Sequence, residues 1–365
     1  MKKLFILWVA VAMLLLPACK QASNKHSVES SSYEIKGKLN DSTYHGKTVY
    51  LVRHDDNVKI DSTVIVGVNY VFKGTTNDVP TYCSVVEGRA NFGTLILENA
   101  VIDMSCKDSL STSLNMELAK MQKATAKQHQ AEATERTELF KKVTEPMEKK
   151  RQNILLRERS SKVLAEIYKS YFLANSNNEV GVVALMGYEN YGNKQELAQL
   201  IAKAGEAVLS RQRVERIVKL NAAYMRTDIG KPFVDFTIDQ GDGTTKSFSD
   251  YVGKGKYVLV DFWASWCGPC LAEVPVVTEV YEKYKGDKFE VLGVAVWDEL
   301  EKTKAIFEKY KMPWPHILNT QKVPGELYGF QSIPHIILFA PDGTVVARGL
   351  RGEELKAKVA EVMQK

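Results

Sequence analysis

One segment constrains this chain more than any other. Tyr257 to Trp263 is a near-continuous apolar run, and Ala264-Ser265-Trp266 separates it from the tetrad Cys267-Gly268-Pro269-Cys270. Such a run is what a strand buried on both faces requires. Pro269 suits the first turn of a helix, where no backbone donor is missed. The segment therefore predicts a buried strand, a turn, and a helix that begins at the dithiol. Thiol–disulfide exchange needs a thiolate near neutral pH. A free cysteine titrates at roughly 8.5, and the positive end of a helix dipole lowers that value. Cys267 holds that position and is the expected nucleophile. Cys270 lies one turn further in and is the expected resolving cysteine. A zinc site needs four ligands, and no second CxxC or CxxH follows at suitable spacing. A c-type haem site needs His after Cys270, where Leu271 stands. A peroxidatic cysteine needs a Pro-x-x-x-Thr-x-x-Cys approach, which is missing here.

The redox compartment is read from the amino terminus. Met1-Lys2-Lys3 is followed by the apolar run Leu4 to Leu16 and then Pro17-Ala18-Cys19. The run is too short for an ordinary membrane-spanning helix and fits a secretory signal. Leu16-Pro17-Ala18-Cys19 resembles a bacterial lipoprotein signal, which implies lipidation at Cys19 after removal of residues 1–18. The expected location is the cell envelope, lipid-anchored and periplasm-facing, where disulfides are permitted. Without Lys2 and Lys3, the 49 basic and 44 acidic residues leave a net charge of +3, too weak to argue for nucleic acid.

The rest divides into four parts. Residues 19–32 carry the lipidated cysteine and a polar, serine-rich tether. Residues 33–106 show seven short alternating runs separated by Asn40-Asp41, Asp55-Asp56-Asn57 and Lys73-Gly74, as a small all-β sandwich or barrel would. Residues 107–225 are helical: Leu114, Leu118 and Met121 recur at helical spacing, and Pro146 breaks or kinks the first long helix. Further helices are expected over 152–174, 180–188, 195–204 and 206–224. This connector is read as a spacer, with a dimerisation arm or partner-docking surface as the alternative. Residues 226–365 alternate strand and helix. Cys83 and Cys106, in separate β-runs, are either bridged or buried free thiols.

Two resemblances add to this reading. "KGKLND…GKTVYLV", "IDSTVIVGVNYVFKG" and "LILENAVIDMSC" resemble the uncharacterised β-domain that precedes thioredoxin-like domains in Bacteroidetes-type lipoproteins. It carries no known chemistry. "VLVDFWASWCGPC", with "LAEVP" after it, resembles the active-site strand and turn of the TlpA/ResA-like thiol–disulfide oxidoreductases, in the thioredoxin superfamily and the clan of the AhpC/TSA family. The match covers about Gly230 to Lys365. It implies an α/β thioredoxin-like domain with a central mixed sheet flanked by helices, and a redox-active Cys267–Cys270 disulfide.

The same resemblance implies further site residues. Asp261, an acid inside the apolar strand, becomes a buried base beneath the dithiol whose pKa burial should raise; otherwise it is an acid at a frayed strand end. Glu273, one turn past Cys270, tunes thiol acidity or is a solvated helix residue. Pro334 becomes a cis-proline that offers its backbone to substrate. His335 departs from the family's usual Thr or Ala and is a titrating neighbour. Trp266 joins them on the substrate-binding rim, with Trp263 a packing residue.

The function expected is reduction of envelope protein disulfides, in cytochrome c maturation or redox homeostasis. An upstream membrane thiol donor would recycle the pair, the lipid anchor would hold it at a membrane, and no cofactor, metal or nucleic acid would take part. Gly268-Pro269 is the dipeptide of reducing thioredoxins. The rivals are an oxidase or isomerase, and a redox-sensing assembly lipoprotein.

Overall fold

The computed structural model describes residues 32–77, 79–105 and 112–364. The segment read above as a secretory signal, Cys19 and Cys106 lie outside the described residues. Among the described residues no helix is long and apolar enough to cross a membrane.

All the short β-runs form strands: β1 (Tyr33–Lys38), β2 (Thr48–Arg53), β3 (Lys59–Val64), β4 (Asn69–Gly74), β5 (Thr81–Glu87), β6 (Ala90–Leu97) and β7 (Val101–Asp103). They build a sandwich, with sheet β4-β1-β7 facing sheet β3-β2-β5-β6. Strand periodicity sets what each face touches. On β6, Leu95 and Leu97 point into the sandwich core with Ile35, Leu51 and Phe72, whereas Ile96 points out into the helices. Cys83 on β5 faces the sandwich core and is a buried free thiol, its pKa pushed up to about 12 by burial.

Six helices follow among the described residues: α1 (Ser113–Lys142), α2 (Pro146–Ala174), α3 (Glu179–Tyr191), α4 (Lys194–Ile201), α5 (Glu206–Leu209) and α6 (Gln212–Arg226). Pro146 does separate two long helices, but it also starts α2, six residues before the expected start. Glu145 caps it by accepting the amides of Met147 and Glu148, and proline at the first helical position loses no hydrogen bond. The start of α1 is fixed to the sandwich, since Asn115 bonds both the amide (2.9 Å) and the carbonyl (2.7 Å) of Ile96.

The single helix expected over 206–224 is two. The Asp55 carboxylate, in the β2–β3 turn, accepts the amides of Gln212 (3.2 Å) and Arg213 (3.0 Å) and so caps a new helix there. Just before it, the Arg211 side chain is drawn to buried Glu179 (2.9 Å). A cap supplied from more than a hundred and fifty residues away has no signature in the local sequence.

The last part holds β8 (Thr237–Asp239), β9 (Thr245–Ser247), a 3-10 turn at Phe248–Asp250, β10 (Tyr257–Trp263), α7 (Gly268–Tyr284), β11 (Phe289–Ala295), α8 (Leu300–Lys309), β12 (His316–Ile317), α9 (Val323–Tyr328), β13 (His335–Phe339), β14 (Val345–Arg348) and α10 (Gly352–Met363). The central sheet runs β12-β11-β10-β13-β14. β10 pairs parallel with β11 and antiparallel with β13, so the sheet is mixed. Val258, Val260 and Phe262 pack on one face with Phe248, Tyr328 and Phe339; Leu259 and Trp263 pack on the other with Val274 and Val277 of α7 and Leu355 and Val359 of α10. The segment 233–238 is a strand only where it enters β8. Its first part follows a different path, where the Phe233 amide bonds the Gly343 carbonyl (2.9 Å).

Helix α6 docks on this domain against α9. Gly329 ends α9 in the left-handed conformation (φ 68°), and a Cβ there would lie 2.3 Å from the Leu220 carbonyl oxygen and 2.4 Å from the Tyr224 amide. Only glycine permits both the cap and the close approach.

Candidate active site

The chain turns at Ala264–Trp266 and enters α7 with Cys267 as its N-cap residue. Cys267 and Cys270 form a disulfide. The Cys270 amide donates to Cys267 Sγ (3.2 Å), and both residues are buried in this oxidised state. The same amide, with the helix dipole behind it, is placed to hold a Cys267 thiolate once the pair is reduced.

Strand alternation settles where Asp261 points. It stands between Leu259 and Trp263, whose side chains share a cluster with Cys267, Cys270 and α7. Asp261 therefore faces the dithiol helix rather than solvent at a frayed end, and it is 3% exposed. Its Oδ1 has no hydrogen-bond partner among the described residues. Burial raises its pKa to about 7; the negative charge of Glu273 adds to this and Arg351 opposes it. A carboxyl with a free oxygen and a pKa near neutrality is fitted to take up or release a proton. Glu273 is half-buried, and its Oε2 accepts the amide of Gly352 (2.9 Å), the first residue of α10. Besides its charge beside Asp261, it caps a neighbouring helix.

Ile333–Pro334 is a cis peptide bond, as the resemblance implied. The Pro334 carbonyl accepts a hydrogen bond from the Arg351 guanidinium. Arg351 thus joins the cis-proline to the charge balance of Asp261, and it is a site residue the sequence reading missed.

His335 needs correction. It does not act as a titrating neighbour at physiological pH. Its ring stacks on Phe330 at 4.5 Å, and Nε2 lies 3.3 Å from the Arg348 guanidinium. Burial, with Arg348 and Arg351 adding to it, pushes its pKa down to about 3, so it stays neutral. Arg348 also bonds the carbonyls of Thr227 (2.8 Å) and Tyr328 (2.7 Å), at the ends of α6 and α9. One half-buried cation thereby reaches two helix C-termini and the histidine beside the cis-proline.

The turn before Cys267 is held by a residue the sequence reading also missed. Asp298 accepts from Ser265 N (2.6 Å) and Oγ (2.8 Å) and from Thr303 Oγ1 (2.9 Å). The signal that was available is a polar residue just past the C-terminal end of β11, where open sheets place their functional loops. Trp266 is 61% exposed, with its indole N–H fixed on the Trp297 carbonyl (2.9 Å), and Trp263 is buried. Among the described residues no group of His, Cys, Asp and Glu could hold a metal ion.

This geometry meets clear relatives. Residues 229–348 match the AhpC/TSA family, and residues 33–129 match a domain of unknown function, DUF4369. "Thiol-disulfide oxidoreductase ResA" of Bacillus anthracis is 30% identical over 141 residues, which cover 38% of this chain and 79% of that protein. This chain belongs to the ResA-like thiol–disulfide oxidoreductases. The protein of the same name from Bacillus thuringiensis subsp. konkukian (strain 97-27) is 28% identical over 140 residues, 38% of this chain and 79% of that protein. Among solved structures, the thioredoxin domain of a Bacteroides vulgatus thiol-disulfide oxidoreductase is 35% identical, covers 37% of this chain and 97% of that one, and superposes with a TM-score of 0.34.

In a thiol–disulfide oxidoreductase of this kind, the thioredoxin-like domain carries the dithiol and the enzyme's activity is thiol–disulfide exchange. The DUF4369 match runs past the strands into α1, in keeping with the hold of Asn115 on β6.

Proposed function

We propose that this oxidoreductase is an exported, lipid-anchored reductase of protein disulfides in the cell envelope. The observation that carries the reading is the Cys267–Cys270 pair at the start of α7, beside cis-Pro334 and above a buried Asp261 with a free oxygen. The Cys267 thiolate attacks one sulfur of a substrate disulfide. The substrate S–S bond breaks, a Cys267–substrate disulfide forms, and the other substrate sulfur leaves as a thiolate. Cys270 then gives its proton to Asp261 and attacks Cys267 Sγ, which releases the second substrate thiolate. Two electrons have passed to the substrate, and the enzyme is left oxidised. An upstream membrane thiol donor, itself oxidised in turn, restores the dithiol. The backbone of Ile333, before the cis bond, is offered to the substrate, the Pro334 carbonyl being held by Arg351, and exposed Trp266 supplies an apolar rim. Export and anchoring rest on Lys2, Lys3, the run Leu4 to Leu16, and Cys19.

The direction of exchange follows reduction potential. Gly268-Pro269 supports a reducing pair, with a potential on the order of −270 mV like that of thioredoxin rather than about −120 mV. Equilibration of the purified protein with glutathione and dithiothreitol redox buffers, followed by thiol alkylation, measures it. A potential near the oxidising end would make the protein an oxidase.

A further inference from the structure

Next to the residues that hold the dithiol turn lies a trough that the thioredoxin-like domain does not build alone. A cavity of about 550 Å³ lies between α6 and the α9 region, with Leu220, Trp297 and Phe330 as its apolar floor. Two floor residues belong to the surroundings of the dithiol. The Trp297 carbonyl holds the Trp266 indole beside Cys267, and Phe330 stacks on His335 beside cis-Pro334. At its other end this cavity shares Gln212, Arg216 and Gln331 with a cleft of about 910 Å³. That cleft runs on between the helices and the sandwich, where His54 and Tyr82 form part of its wall. The two cavities, joined through Gln212, Arg216 and Gln331, run along α6 to the β-domain from a floor whose Trp297 and Phe330 back onto the dithiol turn and His335.

We propose that this trough binds an extended segment of the substrate polypeptide next to its reacting cysteine, and that the helical connector and the β-domain are thereby part of substrate recognition. The proposal rests on the reading of Cys267 as the attacking thiol. Both cavities lie in the size range of binding clefts. The floor takes apolar side chains. In the α6–α9 cavity Lys322 and Glu326 pair with each other (3.5 Å), while exposed Arg216 and Lys219 have no hydrogen-bond or ion-pair partner among the described residues and outnumber Glu215, which favours a segment with an acidic residue near its cysteine. A small disulfide reaches the dithiol without entering the trough. A protein disulfide brings flanking chain, and at roughly 3.3 Å per residue a few residues carry it past Phe330 and Gln331 toward the cleft.

The test traps the complex. Full-length Cys270→Ser protein is allowed to form a Cys267 mixed disulfide with insulin and, separately, with glutathione. Amide hydrogen exchange of both adducts is then followed by mass spectrometry. Residues 54–57, 211–220 and 322–332 should exchange about threefold or more slowly in the insulin adduct than in the glutathione adduct, because occupied clefts suppress local opening. Protection that is the same in both adducts, confined to the dithiol turn and the cis-proline, would overturn the trough. Failure to form either adduct would overturn the assignment of Cys267 itself, and the trough with it.

Discussion

Two buried carboxylates, Glu179 at the junction of sandwich and helices and Asp261 beneath the dithiol, meet the same burial with different partners. Both have a raised pKa, and burial is the first cause in each. Glu179 is filled: one oxygen accepts the Tyr82 amide (2.9 Å), and the other accepts from Arg211 (2.9 Å), which also reaches the Pro80 carbonyl (2.8 Å). Asp261 has a free oxygen, and its nearest charges pull in opposite directions: Glu273 raises its pKa and Arg351 lowers it. A carboxylate whose lone pairs are occupied holds two units together. One left partly unsatisfied in a low-dielectric site is costly as an anion and ready to carry a proton.

The sharpest way to break this contrast is kinetic. Asp261→Asn should leave alkylation of Cys267 largely intact while slowing resolution of a preformed mixed disulfide by ~10²–10⁴-fold, the usual range for loss of a general base. Stopped-flow measurement of resolution decides it. An unchanged rate would place Asp261 with Glu179 as a structural acid and leave water as the proton acceptor.

The junction carboxylate predicts an effect on stability instead. Arg211→Ala strands the Glu179 charge among apolar neighbours and should destabilise the protein by about 3–5 kcal/mol in urea unfolding, as breaking a buried ion pair does. Turnover of a small disulfide by the remaining folded enzyme should persist. If stability barely changes, the junction does not depend on the pair.

The smallest expected effect is on pH dependence, and it compares the two acids in one experiment. The folded, oxidised protein keeps on Asp261 a proton that the unfolded chain loses, since the pKa rises from 3.8 to about 7. Stability should therefore fall as pH rises from about 4 to about 7 and level off above that. Asp261→Asn lacks this loss. Its stability relative to wild type should grow across the window, by at most on the order of 4 kcal/mol. Any slope due to Glu179 is present in both proteins and cancels. Parallel pH profiles for the two proteins would mean that Asp261 is already ionised in the fold.

Much of this was legible because it is local. The strands of the sandwich follow from period-two alternation, and the dithiol helix follows from Cys267 and Pro269 at its start. Asp261 was legible as a misfit, an acid with apolar neighbours on its strand. The mistakes share a different origin. His335 looks like a titrating residue in the sequence, because the Phe330 ring and the two arginines that hold it neutral are not its immediate neighbours in the chain. The break between α5 and α6 is imposed by Asp55, which lies in the β2–β3 turn.

The sequence by itself determined the local parts of the candidate site: a CGPC dithiol at a helix start, an acid in the strand before it, and a proline before the neighbouring strand. Those signals depend on spacing within an element and on intrinsic backbone preferences, which any stretch of chain carries with it. Only the tertiary structure decided what surrounds that chemistry. It brought Arg351 to the cis-proline carbonyl, Asp298 to the Ser265 turn, and Arg348 across two helix ends, and it laid α6 against α9 to close the cavity floored by Trp297 and Phe330. Each of these joins residues far apart in the chain, and such contacts are selected by burial and hydrogen-bond satisfaction in the folded state rather than by any local pattern.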